Sequence, residues 1–172
     1  MTRAQDASVE KSVFGVQLGV LGIFGHNESK LSNSIALRSE LGYEAGLFFS
    51  GYDSNLGFIM APAITLEPRW YYNLNRRIGK SKRIDGNSGN FISIKTTYHP
   101  DILVISSQDN INLISDISFV PTYGIRRNIG AHFNYEFGFG IGYAHLFREE
   151  NVFIVNQSDV SVNLHARFGY RF

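Results

Sequence analysis

The chain has no cysteine, so nucleophilic chemistry would fall to a serine activated by one of its five histidines, with a carboxylate to orient the imidazole. His26 with Glu28 and Ser29 is a compact trio, but neighbours on one turn rarely converge on a single reacting atom. His145 with Glu149 stands near a strand end, and His165 has no serine at the expected neighbouring-strand position. Each reads as a solvated or interfacial histidine rather than a catalytic base. No enzyme is expected; a lipid-modifying hydrolase or acyltransferase is the one enzymatic class these residues leave open.

Metal and cofactor chemistry finds no better support. The histidines are scattered, with no H-x-x-x-H spacing, and Asp101, Asp109 and Asp159 lack the density of a calcium loop. The glycines alternate within extended segments instead of preceding a helix, so they form no phosphate-binding loop, and no cofactor is expected. The 16 basic and 15 acidic residues leave a formal charge of +1, which argues against a nucleic-acid partner.

What does recur is charge of both signs at alternate positions. Arg38, Glu40 and Glu44 share one segment and Glu67 and Arg69 the next, followed by Lys95, Arg126, Glu136, His165 and Arg167. Gly15, Gly19, Gly42, Gly46, Gly138, Gly140 and Gly142 fall on the same face, where a crowded lumen needs room for large neighbours. These ten charged or ionisable residues are the expected interior network. They could line a pore or plug it with ion pairs. An eight-stranded interior is only wide enough for side chains, so the plug is the expectation.

The elements that would hold this network show a two-residue period. In the last segment Val160, Val162, Leu164, Ala166, Phe168, Tyr170 and Phe172 share one face, with Ser161, Asn163, His165 and Arg167 on the other. Strands are expected over about 12–25, 34–49, 57–74, 91–105, 111–127, 131–147 and 160–172, separated by turn-rich stretches at 26–33, 50–55, 75–90, 106–110, 127–130 and 148–158. Seven is an odd number for a bacterial barrel with both ends in the periplasm. Either an eighth strand precedes residue 12, or one segment fuses two strands. Counting back from a periplasmic Phe172, the turn after Arg126 and the basic stretch 76–83 fall at the same end, and segment 12–25 runs towards it. Pro62, Pro68 and Pro121 lie inside strands and require a bulge or a position near water, because proline donates nothing to the ladder.

The second face is apolar and carries Tyr43, Trp70, Tyr72, Tyr98, Tyr143, Tyr170 and Phe172 near strand ends, as a membrane-interface girdle would. No apolar run approaches the ~20 residues of a membrane helix. Residues 1–11 are expected to be an N-terminal tail, with 2–6 as the remnant of a secretion signal region, and 12–172 the barrel domain.

Three stretches carry a family resemblance. They are Thr65-Leu66-Glu67-Pro68-Arg69-Trp70-Tyr71-Tyr72-Asn73-Leu74, Gly124-Ile125-Arg126-Arg127-Asn128-Ile129-Gly130 with His132-Phe133-Asn134-Tyr135-Glu136, and the terminal Asn163 to Tyr170. In them the chain resembles the small, porin-like outer-membrane β-barrel proteins of Bacteroidetes type, over nearly all its length from residue 12. The resemblance implies a location in the bacterial outer membrane and a periplasmic Arg-Arg-Asn turn. The terminal aromatic resembles the signal read by the outer-membrane assembly machinery, though Arg167 stands where that signal usually has glycine.

The sequence thus points to an all-β, antiparallel up-and-down transmembrane barrel of about eight strands. Its expected role is structural, or that of an accessory subunit of a larger outer-membrane complex. Its expected partners are outer-membrane lipid, the assembly machinery and other proteins of such a complex. A narrow channel or small-solute transporter is one alternative, and a soluble lipocalin-like ligand binder the other.

Overall fold

Alternating side chains impose extended backbone, and the chain forms nine strands within residues 7–49, 56–107, 114–147 and 158–172, which the computed structural model describes. They are β1 (Ser12–Gly19), β2 (Gly22–Lys30), β3 (Ile35–Phe49), β4 (Leu56–Trp70), β5 (Asn90–His99), the two-residue β6 (Ile105–Ser106), β7 (Asp116–Ile129), β8 (Phe133–Leu146) and β9 (Ser158–Arg171). All pairings are antiparallel. β1 pairs with β9 and β3 with β4, so the eight long strands close into a barrel, with β6 added beside β4.

The eighth strand lies inside the first expected segment. Residues 12–25 are two strands, joined at Val20 and Leu21 with Gly19 opposite Gly22. Gly22 has φ +149°, a conformation open to glycine and strained for other residues. The inward series then continues through Phe24, His26 and Glu28, and β2 runs on to Lys30, so 26–33 is mostly strand and not turn. Splitting the segment also reverses β1, which runs away from the end that holds Phe172 (the lower end), while β2 runs back towards it.

Other boundaries shift for local reasons. β5 stops at His99 because Pro100 follows. β7 continues to Ile129, moving the lower turn to 130–132, where Gly130 has φ +62°. The connection 71–89 is folded rather than open: it holds a short helix α1 (Leu74–Ile78) and a 3-10 turn (Asp85–Asn87). Pro68 and Pro121 produce gaps without bulges. The β4–β5 ladder skips from Leu66–Thr96 to Arg69–Ser93, and the β7–β8 ladder from Phe119–Tyr143 to Thr122–Gly140, each in unchanged register. Pro62 lies just beyond Ile64, where the β4–β5 ladder ends.

Polarity is inverted relative to a water-soluble domain. The outward face exposes Phe14, Leu18, Leu41, Ile64, Phe137, Leu164 and many more apolar side chains, whereas the largest fully buried side chains begin with Arg38, Arg69 and Arg126. The one cluster of buried apolar residues, among those described, is small and sits at the lower end: Ala7, Val9, Ala36, Tyr71, Leu74 and Phe91, with Ile84 against it. Residues 7–10 join this cap. Val9 donates to the Asn33 carbonyl (2.9 Å), and the Glu10 amide donates to Asn87 Oδ1 (2.8 Å).

Candidate functional site

Strand pairing alone places opposite charges side by side. Glu28 on β2 faces Arg38 on β3, which faces Glu67 on β4. Across the barrel, Arg126 on β7 faces Glu136 on β8, which faces Arg167 on β9. Long side chains then join the two rows through the lumen. Arg69 donates to both oxygens of Glu136 (2.9 and 2.7 Å), to Glu67 (2.9 and 2.7 Å) and to Glu28 (3.0 Å). Arg126 crosses to Glu28 at 2.6 Å.

Glu28 is the hub. Its Oε1 accepts from Arg126 and Arg69 and lies 3.4 Å from Arg38, while its Oε2 accepts from the Tyr71 hydroxyl (3.0 Å) and the Asn87 amide (2.7 Å). Arg38 also donates to Glu40 (2.9 Å through Nε) and to Gln17 (2.6 Å), whose amide passes the chain on to Asn134 (2.8 Å). Glu40 receives Arg167 as well (2.7 Å). Four arginines, 38, 69, 126 and 167, thus meet four glutamates, 28, 40, 67 and 136, and charge balances within the layer. Glu28, Arg38, Arg126 and Glu136 are each 0% exposed, so this level of the lumen is closed.

Glycines shape the packing. A Cβ at Gly124 would overlap the Phe91 ring, and one at Gly138 would overlap the His165 imidazole. Phe91 in turn lies under the Arg69 guanidinium (4.2 Å to the ring centre) and against Tyr71 (5.5 Å between rings), coupling the ionic layer to the lower cap.

All ten expected interior residues point into the barrel, on two levels. Arg38, Glu40, Glu67, Arg69, Arg126, Glu136 and Arg167 form the closed layer, with His165 3.3 Å from Glu136. Glu44 and Lys95 sit higher, 3.6 Å apart, beside His99, which bridges Glu44 (3.2 Å) and Asp116 (3.1 Å). Glu28, Gln17, Tyr71 and Asn87 are not among the expected interior residues; Asn134 shares the polar face of 131–147 with Glu136. For Glu28 the available signal was the alternation that continues past Gly22. Tyr71 lies two positions past Arg69 in the expected segment 57–74, so the same alternation carried its signal; for Asn87, in an irregular connection, there was none.

The hydrolytic candidates separate. His26 and Glu28 face inward while Ser29 faces out, donating to Asn27 (2.6 Å). His26 lies 3.4 Å from Arg126, and His165 contacts Asn163 (3.2 Å). His145 packs edge-on against Phe147 at 5.3 Å. Glu149 and Asp109 lie outside the described residues. No group of three or more metal-ligating side chains occurs among the described residues.

The aromatics expected at a membrane interface fall in two tiers on the outer face. Trp70 and Tyr72 (6.0 Å between rings) and Tyr170 and Phe172 (5.5 Å) mark the lower tier; Tyr43, Tyr98 and Tyr143 stand above. Compared with known proteins, the chain matches no family model, no curated protein and no solved structure.

Proposed function

We propose that this chain is an integral β-barrel of a bacterial outer membrane, plugged by its own ion pairs, serving as a structural or accessory subunit of a larger membrane complex. One observation carries the reading: apolar side chains cover the outside and ion pairs fill the inside. In water that arrangement exposes the hydrophobic surface a fold exists to bury, whereas in lipid it is the low-energy one. The depth agrees. From Tyr170 to Val160, which pairs with Tyr143, β9 makes ten residue-to-residue steps. That is ~33 Å of strand, or ~25 Å along the membrane normal at a ~40° tilt.

Residues 7–10 and Phe172 lie at the lower end with the short 130–132 turn, as expected for a periplasmic side. A lipocalin-like binder would need an apolar interior, opposite to this one. The closed ionic layer argues against a channel. Heat-modifiable migration after detergent extraction tests the membrane reading, which fails if the protein stays in solution without detergent. Planar-bilayer recording tests the plug: stable single-channel steps would overturn it. Copurification in mild detergent tests the accessory role, which fails if the protein is recovered alone.

A further inference from the structure

Among the described residues, the barrel wall is incomplete over part of its height. β1 and β2 end at Val20 and Leu21, where Val20 donates to the Ala166 carbonyl (3.3 Å) and Ala45 to the Leu21 carbonyl (3.0 Å). Above those bonds β9 continues from 165 up to 158 and β3 from 46 to 49, with no strand between them among the described residues. Two missing strands leave three strand spacings, a gap of ~14 Å. The outward side chains of β9 beside it, Val160, Val162 and Leu164, are apolar and 63–78% exposed, so the gap opens within the apolar band. Unpaired backbone groups at that depth are costly unless polar or wet surroundings meet them.

Behind the gap the barrel is hollow. Below, arginine and glutamate fill it; above, beside the Glu44, Lys95, His99 and Asp116 cluster, many inward residues are small, among them Ala61, Thr97, Ser118, Gly140 and Ser161. The result is a cavity of about 680 Å³, within the ~300–1,000 Å³ range of small-molecule sites. Its lining joins inward Lys95, His99 and Asn163 to outward Phe137, Phe139 and Leu164, with Gly19, Val20, Leu21 and Ala45 at the gap between them. One continuous space therefore runs from the polar lumen to the outer apolar face.

The chemistry of the inner wall selects an occupant. Lys95 is on β5, four strands from β1 in either direction, and so faces the gap from the opposite wall. Its ammonium is 3.6 Å from Glu44, beyond hydrogen-bond reach, which leaves its donors unshared among the described residues. Glu44 and Asp116 are occupied by His99. Arg167 gives one nitrogen to Glu40 (2.7 Å), lies over the Phe24 ring (3.8 Å) and lines the same space. Lys95 thus keeps its donors for a further acceptor, which suits an acceptor-only head.

We propose that the gap is a lateral portal through which a long-chain carboxylate enters from the surrounding lipid, its chain along Val20, Leu21 and Leu164 and its head at Lys95. This rests on the membrane reading above. The test uses oleate labelled with carbon-13 at the carboxyl, titrated into the full-length protein in a neutral detergent and followed by NMR. Wild type should show a bound carboxyl signal saturating at one equivalent. Lys95→Met should weaken it at least tenfold and Ser161→Trp, which fills the space inside the gap, should abolish it; methyl oleate should not compete. Circular dichroism and heat-modifiable migration establish that each variant is folded, and if one variant does not fold, the other and the ester comparison carry the test. A folded wild type without a saturable signal, unchanged binding in Lys95→Met, or binding that survives Ser161→Trp overturns the proposal. If the protein proves soluble without detergent yet binds oleate, the membrane reading fails and the site stands. If it requires detergent and binds no oleate, the reverse holds.

Discussion

Replacing Glu28 by glutamine probes the ionic plug with almost no change in shape. Both carboxylate oxygens of Glu28 face donors, Arg126 and Arg69 on one and Tyr71 and Asn87 on the other. An amide offers one acceptor and one NH₂ group, so either orientation sets donor against donor. The substitution also leaves four buried guanidinium groups against three carboxylates in a layer sealed from water. Breaking a buried pair by removing one partner costs about 3–5 kcal/mol, and that is the expected loss. Urea unfolding in detergent micelles measures it through Trp70, the only tryptophan, next to Arg69 in sequence. Adding Arg126→Gln restores three charges of each sign, and the double variant should recover about 1–3 kcal/mol relative to the sum of the single losses. A loss under about 1 kcal/mol in Glu28→Gln, with an unchanged denaturant slope, would refute the view that the layer is a tightly coupled ionic plug.

Tyr71→Phe removes a hydroxyl donated to the same carboxylate, and the urea midpoint should fall by the equivalent of about 1.5–3 kcal/mol. Gly124→Ala pushes a methyl group into the Phe91 ring beneath Arg69, and the same assay should register a loss of about 1–3 kcal/mol. The hydrogen bonds from Arg83 hold the Asp85 carboxyl below its ordinary range. Because its folded pKa is depressed, the stabilisation of the lower cap is complete above about pH 4 and is lost as pH falls through the folded value. Hydrogen exchange over 84–88 should quicken below about pH 4 in the wild type and show no such step in Asp85→Asn.

Strand identity was legible along most of the chain because alternation is a local property: Phe133 to Tyr143 and Val160 to Phe172 display their two faces without reference to any neighbour. The same alternation assigned Arg38, Glu67, Arg126, Glu136 and Arg167 to the lumen. It could not separate β1 from β2, because a two-residue turn at Val20 and Leu21 keeps apolar residues in sequence and breaks the rhythm for only two positions. That one omission hid Glu28 in an expected turn, and with it the hub of the network.

Which arginine meets which glutamate depended on ring closure. Arg126 and Glu28 are 98 residues apart, and Arg69 and Glu136 are 67 apart; both pairs meet only because β1 joins β9 and the lumen is narrow. Asn87 entered the layer through an irregular connection whose path follows from what it packs against. The sequence by itself determined that one face is ionic and the other apolar, since both are written residue by residue. The tertiary structure decided that the ionic face is sealed below and hollow above, because long side chains converge at one level and small ones at the next.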